Sequence, residues 1–138
     1  MSGDPTIVSR TLGDVRAPRL AAPMSDALHL AVHVGATSLA EALELAGVVV
    51  RHIARIGPVG RCSVEPYWKI AGQFRIDLKI DADQPEAIFD AVAAAIAPTW
   101  RRQRVDASWA VWDRRLQGGG FMPSVAWAHL EVVPEAQP

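Results

Sequence analysis

Two histidines four residues apart, His29 and His33, are the first groups in the sequence whose spacing could bind a metal ion. On a helix, side chains at this spacing are neighbours and could share one ion. The residues around them alternate between apolar and polar, however, which indicates a strand. On a strand the two imidazoles lie about 13 Å apart at ~3.3 Å per residue, too far for one ion with bonds of about 2 Å. Since neither Cys62 nor His129 stands at a ligand spacing, we expect no metal.

Groups suited to covalent or acid–base catalysis are few. Cys62 is the single cysteine, so it forms no internal disulfide, and without a flanking motif we expect it to be a small buried thiol. The run 118–120 of three glycines precedes no predicted helix and therefore offers no phosphate cradle. His29 or His33 could exchange a proton with Asp77 on a neighbouring strand, but any polar pair on adjacent strands meets that geometric condition. The sequence predicts no catalytic residue and no cofactor.

The elements that position these groups follow from apolar periodicity. Alternation is strong over 28–34 and strongest over 73–80, and weaker patterns predict further strands over 61–70, 107–116 and 121–133. Ser38 followed by Glu41 is a capping box that predicts a helix ending at Gly57-Pro58. Asp83 followed by Pro85 and Glu86 predicts a second helix, which Pro98 limits. Three glycines between the last two strands indicate a hairpin loop.

This order of elements predicts one α+β domain. Its first six elements match the ferredoxin-like βαββαβ core, followed by an extra C-terminal strand, with two helices on one face of a mainly antiparallel sheet. The domain is expected over 27–134, with an N-terminal arm over 1–26, in which 6–12 could form an edge strand, and a tail over 135–138. We expect the core to contain mostly aliphatic side chains: Leu30, Val32, Leu43, Ile53, Phe74, Ile76, Leu78, Ile88, Phe89 and Val92.

The other face of the sheet is predicted to be open and to carry the function. If the aliphatic rows face the helices, polar and aromatic side chains fall on this face; the candidate binding residues are His29, His33, Arg75, Asp77, Trp112, Trp127 and His129. Trp112 is expected to be an exposed anchor of this surface, although alternation is weak in its strand and the opposite orientation would turn Trp109 outward instead. A sheet face that is polar for solubility alone explains the same pattern.

Composition limits the class of protein. The chain has 138 residues, half of them apolar, and a net charge of -1, which does not favour nucleic-acid binding. RNA-recognition motifs share the predicted topology but stack bases on aromatic residues, where this sheet has His33 and Arg75. No apolar run is long enough to cross a membrane, and no secretory segment precedes the domain, so a cytoplasmic location is expected. Twelve of the 14 basic residues are arginine, which favours a GC-rich bacterial genome.

Two functions are compatible with this sequence. The first is a non-enzymatic module that binds another protein through its open face and C-terminal hairpin, such as a bacterial immunity or regulatory protein, since tryptophan is enriched at interfaces. The second is a small enzyme or ligand-binding domain with a pocket over His29, His33, Arg75 and Asp77. The second could form a homodimer, for which pairing edge to edge through the last strand suits a polar open face better than face-to-face packing.

Overall fold

The computed structural model describes residues 25–103 and 106–135. Most of the predicted arm, including 6–12, and the last three residues of the tail lie outside these ranges. The elements in chain order are β1 (Ser25–Gly35), α1 (Leu39–Ala54), β2 (Val59–Pro66), β3 (Gln73–Ile80), α2 (Pro85–Ile96), β4 (Arg101–Gln103), β5 (Asp106–Asp113), α3 (Arg114–Gln117) and β6 (Val125–Glu135).

The described strands form one antiparallel sheet in the order β2-β3-β1-β6-β5-β4. The predicted α+β class and antiparallel sheet are therefore confirmed, and β1 and β3 are neighbours as expected. The ferredoxin-like topology is not confirmed. In that topology the strand after the second helix pairs with the first strand, whereas here β4 lies at the outer edge and β6 pairs with β1.

Helix α1 begins where the capping box predicts. The Ser38 hydroxyl accepts a hydrogen bond from the Glu41 amide at 3.1 Å, while the Glu41 carboxylate accepts from the Thr37 amide at 2.7 Å. In a standard capping box the Glu carboxylate bonds to the amide of the N-cap residue; here it bonds to the amide of Thr37, one residue earlier. The prediction for α2 is less accurate, because its N-cap is Gln84 rather than Asp83, with no side-chain cap bond.

The core lies between the helices and one face of the sheet. Leu28, Leu30 and Val32 are fully buried there. Leu43 is 53% exposed, so its predicted burial is wrong. The buried stripe of α1 is narrow and runs through Ala42, Ala46, Val49 and Ile53, and at 3.6 residues per turn Leu43 lies about 100° from Ala42. Phe74 and Ile88 are partly buried against this core rather than inside it.

Trp112 is the main correction to the predicted faces. It is fully buried among the core residues, so the expectation that it points to the open face is wrong. Trp112 pairs with Ala128, and directly paired residues lie on the same face of a sheet. The small partner leaves room for the indole, whose Nε1 donates to the Gly118 carbonyl at 2.8 Å.

The connection between the last two strands also differs from the predicted hairpin. The short helix α3 follows β5 directly, and the glycines come after it. Gly118 and Gly119 have φ of 67° and 78°, a conformation that glycine adopts without steric cost. Gly120 is packed so closely that a Cβ there would lie 2.6 Å from the Trp112 ring. The glycine run is thus a packed turn against the core.

Candidate binding cleft on the open sheet face

Strand register brings six of the seven predicted binding residues onto the open face. His33 pairs with Arg75 on one side and with Trp127 on the other. Ala31, two residues earlier, pairs with Asp77 and His129 in the same way. His29 lies at the next position of this row, and Trp112 is absent from the face because it is in the core. Trp109 takes its place, with its ring centroid 5.8 Å from that of His129.

His33 is the most enclosed of these residues. It is only 4% exposed, and the Tyr67 and Trp127 rings contact it edge to face, with centroids 4.5 and 4.6 Å away. Burial, with the charge of Arg75 adding to it, lowers the pKa of His33 from 6.5 to about 4. Its Nε2 is buried and has no hydrogen-bond partner among the described groups. At neutral pH the imidazole is therefore uncharged.

His129 lies beside the Trp127 ring, at a centroid distance of 6.1 Å. Burial also lowers the pKa of His129, although the neighbouring Glu131 raises it. The His129 Nε2 is 3.2 Å from the Glu131 carboxylate, but the contact lacks the angles of a hydrogen bond. We therefore regard this pair as a contact between a neutral imidazole and a carboxylate.

A cleft of about 540 Å³ opens at the His33 end of this face. Its lining comes from both halves of the chain: His33, Tyr67, Ile70, Gln73, Asp113, Arg114, Arg115, Ala126 and Trp127. Of the predicted site residues, only His33 and Trp127 line it. His29, Asp77 and His129 lie farther along the sheet, and the Arg75 Nε donates to both Asp77 carboxylate oxygens, at 2.9 and 3.0 Å. The pocket was predicted over His29, His33, Arg75 and Asp77; only His33 of these lines the cleft, which lies closer to the loops.

The first wall of the cleft is the turn between β2 and β3. The Tyr67 amide donates to the Gln73 carbonyl at 2.9 Å, and the Gln73 amide donates to the Ile70 carbonyl at 3.2 Å. Gly72 has a φ of 80°, and its carbonyl accepts from the Ala36 amide after β1. These bonds hold the Tyr67 ring over the end of β1. Sequence reasoning missed Tyr67 because the strand predicted over 61–70 included it, whereas β2 ends at Pro66.

The second wall is the start of α3. Asp113 caps this helix by accepting from the Arg115 amide at 2.9 Å, and hydrogen bonding to Arg115 lowers the pKa of Asp113. The Arg114 side chain donates to the carbonyls of Val125 and Met122, both at 2.7 Å. Arg114 is thus fixed to the strand that carries Trp127. No sequence signal predicted this helix, because four residues are too few to show a helical period.

A β-bulge shapes the floor of the cleft. Between β1 and β6 the register shifts, so that His33 pairs with Trp127 but Val34 pairs with Val125. Ala126 is the extra residue, and it lines the cleft next to Trp127. Bulges bend a strand and redirect its side chains, often beside functional sites. Here the bulge keeps Val125 in the core while Trp127 stays on the open face.

Cys62, the other side chain considered for chemistry, differs from its prediction. Cys62 is exposed on the edge strand β2, so the predicted burial of this thiol is wrong. Local desolvation, with the charge of Asp77 adding to it, raises the pKa of Cys62, which disfavours the reactive thiolate. Among the described residues, no three His, Cys, Asp or Glu side chains are grouped so that they could hold a metal ion.

Comparison of the chain with protein-family models, curated proteins and solved structures finds no match in any of the three. Within the described ranges, no helix has both the length and the apolar character needed to cross a bilayer.

Proposed function

We propose that this protein binds a small molecule in the cleft between the β2–β3 turn and α3. The observation that supports this proposal is the cleft itself, whose volume of about 540 Å³ falls within the ~300–1,000 Å³ of small-ligand sites. Such sites combine apolar and aromatic walls with a few polar groups. Tyr67, Trp127 and Ile70 supply the apolar contact, and Gln73 and Arg115 supply polar groups at the rim.

The buried His33 adds to this argument. A buried polar atom without a hydrogen-bond partner costs stability, typically about 1–3 kcal/mol, and such positions often have a functional reason. Here the histidine occupies a position enclosed by two aromatic rings. Stability alone would favour an apolar side chain there, which supports a role in binding.

A library of small metabolites, screened by protein NMR on the ¹⁵N-labelled full chain, tests the proposal. Ligands should shift the Trp127 indole signal and the backbone amides of Tyr67 and Gln73. In Trp127→Ala, which has no indole signal at this position, the shifts of the Tyr67 and Gln73 amides should disappear. They should persist in Trp68→Ala, a matched control at a residue that is 83% exposed and does not line the cleft. If no compound shifts these signals, or if the shifts persist in Trp127→Ala, the cleft is not the binding site.

A second proposal keeps the protein-binding function expected from the sequence, namely a cytoplasmic bacterial immunity or regulatory protein. Its support is a group of exposed apolar side chains next to the cleft: Trp68, Ile70 and Leu116, the last of which is 71% exposed. Trp68 and Ile70 belong to the same turn as Tyr67, and Leu116 belongs to α3. Exposed tryptophan beside a pocket is typical of binding hot spots.

The two proposals make opposite predictions for Trp68. A partner protein, or a second copy of the chain, that covers this rim should lose affinity in Trp68→Ala, with a cost of about 2 kcal/mol for a hot-spot residue. Co-purification of the partner with wild type and variant, and sedimentation of the purified chain for self-association, measure this effect. Capture that is unchanged by Trp68→Ala, together with a monomeric chain, would remove this surface from consideration.

A further inference from the structure

We propose that the cleft selects a planar aromatic ring that carries a carboxylate, with the ring against Tyr67 and Trp127 and the carboxylate at Arg115. This inference rests on the proposed small-molecule function and specifies the chemistry of its ligand.

The aromatic part of the proposal follows from the arrangement of three rings. The Tyr67 and Trp127 planes stand at 89° and 88° to the His33 plane, with centroids 4.5 and 4.6 Å from it. All three rings border the same cleft. Aromatic pairs prefer offset-stacked or edge-to-face geometry, and a flat ring that enters the cleft can make both kinds of contact. A puckered aliphatic ring of equal size gains only the apolar contact.

The floor of the cleft is compatible with such a ring because it carries no charge. His33 is buried and stays neutral at pH 7, since its pKa is lowered to about 4. A neutral imidazole offers an aromatic surface without a positive charge that would attract water into the cleft. The bulged Ala126 beside Trp127 adds a small apolar group and leaves room for the ring.

The carboxylate part follows from the charges of the second wall. The lining residues Asp113, Arg114 and Arg115 together carry one net positive charge at neutral pH. Arg114 is held by two backbone carbonyls at 2.7 Å, so it is fixed in place. Asp113 already accepts from the Arg115 amide at 2.9 Å. A cationic ligand would meet two guanidinium groups here, and only one carboxylate would attract it.

Arg115 is the residue best able to meet a ligand carboxylate. Its side chain is 87% exposed, and its contacts with Asp113 are long, at 3.2 and 3.4 Å. The Asp113 side chain is 16% exposed, but it keeps its bond from the Arg115 amide when the guanidinium turns away. Long ion pairs with one exposed partner are weak, so the guanidinium can turn towards the cleft. Guanidinium and carboxylate then form a strong, bidentate pair.

Three small probes of similar size separate the two parts of the proposal: benzoate, benzylamine and cyclohexanecarboxylate. Each is titrated into the ¹⁵N-labelled full chain at pH 7, and the signals of Tyr67, Gln73 and Trp127 report binding. Benzoate should bind most tightly. The loss of aromatic contact in cyclohexanecarboxylate should weaken binding roughly 2- to 10-fold. Benzylamine should bind more weakly than benzoate because its charge is reversed.

Matched variants assign the contacts. Arg115→Gln should weaken benzoate binding, whereas Arg55→Gln, an exposed arginine at the end of α1, should leave it unchanged. Tyr67→Leu keeps an apolar side chain but removes the ring, so it should bring the affinity for benzoate close to that for cyclohexanecarboxylate. The amide spectrum of each variant shows whether the fold is retained, and Tyr67→Leu serves if Trp127→Ala does not fold.

The outcomes distinguish this inference from the function on which it rests. Equal affinity for benzoate and cyclohexanecarboxylate would overturn aromatic selectivity while leaving a ligand-binding cleft in place. Tightest binding of benzylamine would overturn the assignment of a carboxylate. If no probe and no library compound shifts the signals of the cleft residues, both the inference and the proposed function are wrong.

Discussion

The buried His33 predicts a specific loss of stability in mild acid. Its pKa is about 4 in the folded protein and 6.5 in the unfolded chain, so the unfolded state takes up a proton first as the pH falls. Keeping His33 neutral therefore costs no stability above about pH 6.5, and the folded state loses stability relative to the unfolded chain as the pH falls from there towards about 4. Between about pH 7.5 and about pH 5 the difference in proton binding amounts to about 2 kcal/mol.

Urea denaturation at these two pH values, followed by circular dichroism, measures the effect. Carboxylates and His129 also titrate, so the wild type is compared with His33→Gln, which removes only this group. The free energy of unfolding of the wild type should fall by about 2 kcal/mol more than that of the variant. His129→Gln should keep most of the His33 contribution. Equal losses in wild type and His33→Gln would refute the reasoning, because they would show that His33 is not held neutral by burial.

Two further predictions concern Trp112, which was predicted on the open face and lies in the core. Trp112→Ala should destabilise the protein by ~3–5 kcal/mol through lost burial and a cavity, whereas the exposed Trp68→Ala should change stability by less than about 0.5 kcal/mol. Urea midpoints give both values, and equal midpoints would contradict the burial of Trp112. Gly120→Ala should cost about 1–3 kcal/mol because its Cβ would lie 2.6 Å from the Trp112 ring and 2.7 Å from the Arg114 side chain. A variant as stable as wild type would show that this turn is not packed against the ring.

Short-range patterns were sufficient for the elements with strong alternation. The strands β1 and β3, the cap of α1 at Ser38 and the outward row with His33 and Trp127 all follow from residues within a few positions of each other. This succeeds because a strand with one buried face must repeat with a period of two, and a shift of one residue would exchange its faces. The neighbouring positions of β1 and β3, which α1 and β2 separate in the chain, were expected from the βαββαβ order of elements.

Other features depend on contacts between distant parts of the chain, and only the tertiary structure determined them. The orientation of β5 depends on the pairing of Trp112 with Ala128, because its own sequence is apolar on both faces. The position of β6 next to β1 depends on antiparallel pairing along the two longest strands rather than on any local signal. The position of β4 at the outer edge depends likewise on its pairing with β5.

The candidate cleft is the clearest case of this division. Its histidine, His33, and its tryptophan, Trp127, were predicted from strand alternation, which fixes the face of each residue. Tyr67 and Arg115 reach the same cleft from a turn and a short helix that are far apart in the chain. Both elements are too short to show a periodic pattern in the sequence. The sequence by itself thus determined which face of the sheet carries polar and aromatic groups. The tertiary structure decided where they enclose a cleft, because the loops meet only after the sheet has formed.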